Sequence, residues 1–203
     1  MSTTPPIHKT KPEVFIIESL TQDNEEKGLF EGKILYKTLK MAGKDPKYYY
    51  FRTKDELELI ALMFRDSGYR YLHFSCHGDL THIHTTLESV SYQELGLIFD
   101  GLLKNRRLFM SACETGNLIF STCIAARNKG MYSIAAPVHS IRFDNALAIW
   151  IAFYTKVYLI DKKILMKARQ IDSALFNLCK FFDVRFHWSR YDAKNDVWTH
   201  KTL

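Results

Sequence analysis

The chain has 203 residues, 47% of them apolar and 25% charged, with a net charge of +6 at neutral pH. This is enough for one substantial hydrophobic core, and the composition is that of an ordinary globular protein. The cations are scattered, as in Lys37, Lys40 and Lys44, so they argue for a solvated surface and against direct nucleic-acid binding; the most apolar segment, Asn145–Thr155, has eleven residues against the ~20 of a membrane helix.

Met1–Pro12 lacks the apolar stretch of a signal peptide and reads as a disordered leader, so residues 13–203 are expected to form a single domain. Val14–Ile17 (VFII) reads as a buried strand, Thr21–Lys27 as an acidic loop, and Leu29–Met41 as a helix stopped near Gly43. Tyr48–Phe51 is a second strand. Thr53 then caps a helix over Lys54–Arg65, with Glu56 at the capping-box position and Gly68 as its stop. A third strand, Tyr69–Ser75, is followed by a small strand over His82–Thr86. Ser91 caps a helix over Tyr92–Leu103, with Glu94 completing the box. Arg107–Ala112 is a fourth strand. Asn117 caps a helix running to about Asn128, and Met131–Ala136 is a fifth strand. Helices over Asp144–Tyr158 and Ile164–Phe182 follow, and the aromatic–polar alternation of Val184–Tyr191 and Val197–His200 reads as an edge strand or hairpin. Five strand–helix alternations without a linker predict a mostly parallel α/β sheet of about six strands with helices on both faces.

Two apolar runs end in reactive side chains. Tyr69–Gly78 (YRYLHFSCHG) stops at His77, and Leu108–Gly116 (LFMSACETG) stops at Cys113. Parallel neighbours would open both ends onto one crevice, where an imidazole can take the thiol's proton. A helix N-terminus near Asn117 would lower the thiol pKa. The bland alternatives are a small core cysteine and a loop histidine bonded to backbone. Cys76 adjoins His77 but alternates to the opposite face of the strand and reads as core. His73, Cys76, His77, His82 and His84 lack the paired spacing of a zinc site, so no metal and no cofactor are expected. Cys76, Cys113, Cys123 and Cys179 fit no disulfide framework, which points to a reducing, cytoplasmic compartment.

The segments Cys76-His77-Gly78-Asp79 and Ser111-Ala112-Cys113-Glu114-Thr115-Gly116 resemble the signatures of CHAT domains, within the caspase-like clan CD cysteine proteases. Ala152-Phe153-Tyr154, Ser173-Ala174-Leu175 and Phe186-His187-Trp188-Ser189 are similar to later CHAT elements. The 36-residue spacing of the pair (113 − 77) is shorter than the roughly 50 of caspases and suits the compact CHAT pattern. The resemblance implies a cysteine endopeptidase with Cys113 as nucleophile, His77 as general base and the backbone N–H groups of Gly78 and Cys113 as oxyanion hole. It also implies limited proteolysis of a protein substrate in a stress, defence or cell-death pathway. Val138–Asp144 lacks the usual CHAT wording. There Asp144 is expected either to line the substrate pocket, favouring a basic residue at the cleavage point, or to cap the next helix, and Arg142 to face solvent. The chain carries no sensor or repeat module, so a regulatory protein partner in trans is expected to order the loops Asp79–Ser89 and Val138–Phe143. The alternative reading is a catalytically silent scaffold that keeps the fold and leaves the dyad unused.

Overall fold

The computed structural model describes residues 10–160 and 166–203. Val14, Phe15, Ile16 and Ile17 are all fully buried because their strand, β1 (Lys11–Glu18), is covered on both faces. Phe15 and Ile17 enter one core, and Val14 and Ile16 enter the other, as the two-residue period of a strand requires. Around β1 lie β2 (Lys47–Tyr50), β3 (Tyr69–Ser75), β7 (Arg107–Ser111) and β8 (Ser133–Pro137), all parallel. The tail adds β9 (Phe186–Asp192), antiparallel to β8, and β10 (Val197–Thr202), antiparallel to β9.

The sheet order is β10-β9-β8-β7-β3-β1-β2. It therefore has seven strands rather than the six expected, because the aromatic tail folds back on itself and both arms pair. A separate three-stranded antiparallel sheet joins β4 (His77–Gly78), β5 (His82–His84) and β6 (Ser89–Ser91).

One face of the main sheet is covered by α3 (Lys54–Ser67), α4 (Tyr92–Ile98) and α5 (Leu118–Ala125), through Leu57, Phe64, Leu95, Phe120 and Ile124. The other is covered by α2 (Glu31–Met41), α6 (Phe143–Ile160) and α7 (Ala168–Phe182). The Ile149, Trp150, Phe153, Tyr154 and Val157 stripe of α6 is core packing, with Trp150 and Tyr154 in T-shaped contact with the ring of the fully buried His73. Burial holds His73 neutral, with its pKa down near 3, so it acts as a core histidine.

Local signals mostly hold. Thr53–Glu56 and Ser91–Glu94 both close as capping boxes, Asn117 accepts from the Phe120 N–H, and Gly68 is left-handed at φ +68°. Several expectations are corrected. The acidic segment after β1 forms a short helix, α1 (Gln22–Glu26), because the Thr21 hydroxyl accepts from the Asn24 N–H. Helix α4 stops at Ile98 rather than near Leu103, where the chain turns towards Gly101 at φ +70°. Helix α5 stops at Ala125, and the Asn128 side chain instead ties the Ile124 carbonyl to the Leu103 N–H. Strand β1 begins at Lys11, inside the expected leader, whose first nine residues lie outside the described ones. Residues 164 and 165 of the expected last helix also lie outside them, and α7 begins at Ala168.

Candidate active site

Register brings the two reactive residues together. Strands β3 and β7 pair in parallel with Ser75 opposite Ser111, so His77 and Cys113, each two residues further on, leave neighbouring strands at the same end. Both line one cavity of about 70 Å³. The close approach of the two chain segments depends on Gly78. A Cβ at that position would sit 2.9 Å from the Cys113 carbonyl oxygen and 3.0 Å from Thr115 Cγ2. After Cys113 the chain reverses through Glu114 in the left-handed region, at φ +61°. Helix α5 starts only at Leu118, and the Asn117 side chain already occupies its first turn.

The His77 ring is half-buried and in T-shaped contact with Phe143, centroids 5.2 Å apart. Burial, with a smaller contribution from His84, holds its pKa below the ordinary imidazole range, so the ring is neutral at neutral pH and able to accept a proton. Asn24 Nδ2 lies 2.6 Å from His77 Nε2. The carboxamide of Asn24 thus holds one ring nitrogen, and it sits on an anchored helix. Its neighbour Glu25 takes Arg52 Nη2 at 2.5 Å and the Tyr50 hydroxyl at 2.5 Å. Asn24→Ala is expected to slow modification of Cys113 by a peptide electrophile about tenfold, the equivalent of one ordinary hydrogen bond. An unchanged rate would remove Asn24 from the site.

The thiol is covered by the segment that follows β8. The Ile141 N–H lies 3.4 Å from Cys113 Sγ, and the thiol reaches the Ile141 carbonyl at 3.7 Å. Ser140 donates to Glu114 at 3.3 Å. Cys76 also borders the cavity but is buried, and burial pushes its thiol pKa far up, so it stays protonated.

Asp144 does not line the cavity. Its carboxylate is 64% exposed and is held by Arg142 in a two-point contact at 2.9 and 3.1 Å. The acidic residue that does line the cavity is Glu31, which the sequence reading did not single out. It is 3% exposed; Ser111 Oγ donates to it at 2.7 Å and Ser75 Oγ at 3.2 Å. Burial first, then the nearby Glu18, raises its pKa to about 8. Glu18 has a different task. It accepts from the Gly32 and Lys33 N–H groups at 2.6 and 3.2 Å, capping α2 from across the fold. A larger groove of about 1170 Å³ along α6 and α7 has no cysteine or histidine in its lining.

The mostly parallel sheet with helices on both faces is similar in fold to solved clan CD cysteine proteases. Its solved neighbours include the Arg-specific cysteine proteinase gingipain R (RgpB), a protein of Porphyromonas gingivalis, with 14% identity, TM-score 0.58, and coverage of 95% of this chain and 46% of that one. A secreted C11 cysteine protease from Bacteroides thetaiotaomicron in complex with an irreversible peptide inhibitor aligns at TM-score 0.55 and 8% identity, over 89% of this chain and 66% of that one. An inactive zymogen C11 protease from Parabacteroides distasonis aligns at TM-score 0.53 and 8% identity, over 90% and 62%. The chain thus spans about half to two thirds of the length of these neighbours. No protein-family profile and no curated sequence matches it. Among the described residues no helix is long and apolar enough to cross a membrane.

Proposed function

We propose that this chain is a cysteine endopeptidase of the CHAT type that cuts a protein substrate through Cys113 and His77. The observation that carries the reading is the convergence of a half-buried thiol and a neutral imidazole on one cavity at the ends of β3 and β7. The thiol's proton passes to the imidazole as sulfur attacks the scissile carbonyl carbon. The backbone N–H groups of Gly78 and Cys113 stabilise the oxyanion. When the C–N bond breaks, the imidazolium gives its proton to the leaving amine, and water then hydrolyses the thioester.

The closed loop supports regulation in trans. Ile141 lies on the sulfur and Phe143 on the imidazole, and the cavity they share with the pair is only about 70 Å³, so a protein partner that draws Val138–Phe143 aside would open the site to a peptide. The same cover favours the second reading, a silent scaffold. Free thiols at Cys76, Cys113, Cys123 and Cys179 support a reducing, cytoplasmic setting; the resemblance of the His77 and Cys113 motifs to CHAT domains supports limited proteolysis in a stress, defence or cell-death response.

The test is cleavage-site mapping across a cell proteome with the native chain against Cys113→Ala. New protein N-termini that depend on Cys113 are expected. Identical N-termini from both chains, with and without added lysate of the producing cells, would favour the scaffold.

A further inference from the structure

We infer that the groove between α6 and α7 is the docking site for an amphipathic helix of a partner protein, and that this helix carries acidic residues at one end. The groove shares no residue with the Cys113 cavity, so the docking holds whether or not the dyad is used. Its shape comes from the sequence of its walls. Ala148 and Ala152 stand one turn apart on α6, and Ser173, Ala174 and Asn177 recur at helical spacing on α7. Small side chains on two adjoining helices leave a trough. Ala148 and Lys156 are eight residues apart (156 − 148), so the trough runs for about 12 Å at 1.5 Å per residue. That length seats about two turns of a third helix, whose ridge of side chains fits between the other two.

Size and charge select the occupant. At about 1170 Å³ the groove exceeds the roughly 300–1,000 Å³ of small-molecule sites. Both walls are helices, whose backbone groups are paired internally, so an extended peptide finds no ladder to join. Lys156 comes from the last turns of α6, and Lys167 and Arg169 from the start of α7. The cations therefore gather at the end of the groove where the chain passes from one helix to the other. The lining holds these three and no carboxylate. All three are exposed, and among the described residues none of them is in an ion pair. An apolar trough with an unopposed cationic end complements a helix that has an apolar face and acids at one end. Helix α6 also begins at Phe143, whose ring packs on His77. A partner seated here would hold the helix that carries part of the cover over the dyad, a link that rests on the proposed endopeptidase reading.

The probe is a yeast-displayed library of alanine-based helical peptides of about 18 residues, long enough to hold a helix in water, randomised along one face and at both ends. It is sorted on the full chain and counter-sorted against Ala148→Trp and Ser173→Trp, which fill the trough from either wall. Both positions are exposed, and unchanged urea midpoints verify that the variants fold. Enriched peptides are expected to carry apolar residues at i, i+3 or i+4, and i+7, with aspartate or glutamate at one end. The triple reversal Lys156→Glu/Lys167→Glu/Arg169→Glu is expected to weaken them at least about tenfold and to bind better the same peptides with lysine in place of the acids. Peptides that bind the native and both filled chains equally, or enriched peptides without acids, overturn the inference and leave the roles of Cys113 and His77 untouched. Binding to phosphatidylserine–phosphatidylcholine vesicles that the triple reversal abolishes, with no peptide behaving in that way, assigns the groove to a lipid surface and also overturns it.

Discussion

Glu31→Gln is expected to resist urea better than the native chain at pH 8, by about 2–4 kcal/mol, and by much less at pH 5. The buried carboxyl is held near pH 8 against 4.5 when unfolded. Between those values the folded state carries a proton that the unfolded chain has released. Stability therefore falls as pH rises through that window, and the contribution is fully lost above about 8. Each unit of displacement corresponds to about 1.4 kcal/mol, discounted here because part of the cost relaxes through the serine hydroxyls. Glutamine has the same shape, keeps acceptance from Ser111 through its oxygen and does not titrate. Urea midpoints of both chains at the two pH values decide the matter, and a difference independent of pH would show that Glu31 is not a strained buried acid.

Gly116→Ala is expected to destabilise the chain by about 3 kcal/mol or more, the upper range for forcing atoms into a filled space. A Cβ at Gly116 would lie 2.5 Å from the Ala136 carbonyl oxygen and 2.6 Å from Pro137 backbone atoms. Those atoms belong to β8, and the Gly116 N–H donates to Pro137 at 2.7 Å, so neither side yields without parting the loop after Cys113 from the sheet. Reactivity of Cys113 is expected to fall together with stability. Gly28→Ala is the control. It sits at φ +71° with nothing within 4 Å, so only backbone strain of about 1 kcal/mol applies there. Equal midpoints for the two variants would contradict the close-approach argument.

What was legible in the sequence was whatever depends on neighbours along the chain. The β-branched run at Val14–Ile17, the capping boxes at Thr53 and Ser91, and the glycine stop at Gly68 are local chemistry. The Cys113 and His77 motifs were legible because strand ends in a parallel sheet share an edge. Glu31 was not legible, since a glutamate at the start of a helix ordinarily complements the helix dipole from solvent. In the fold Gly32 lies close against Ile16 and Glu18 of β1, and the Glu31 carboxyl beside it is buried against Ser75 and Ser111. Asn24 was hidden in an apparent loop for the same reason: only the Glu25–Arg52–Tyr50 anchoring reveals that this segment is fixed. Asp144 was the acidic residue visible in the expected pocket loop, yet Arg142, two residues earlier, takes its carboxylate outward.

The central claim is that the Cys113 sulfur and the His77 imidazole work as a pair, and competitive alkylation of the four cysteines tests it most directly. Cys123 is a built-in reference, because it is partly buried like Cys113 but has no place in the cavity. The account predicts that chloroacetamide modifies Cys113 ahead of Cys123 in the native chain, and that His77→Ala slows Cys113 alone by about 10²–10⁴-fold. Equal rates at both cysteines, unmoved by the loss of His77, would contradict it.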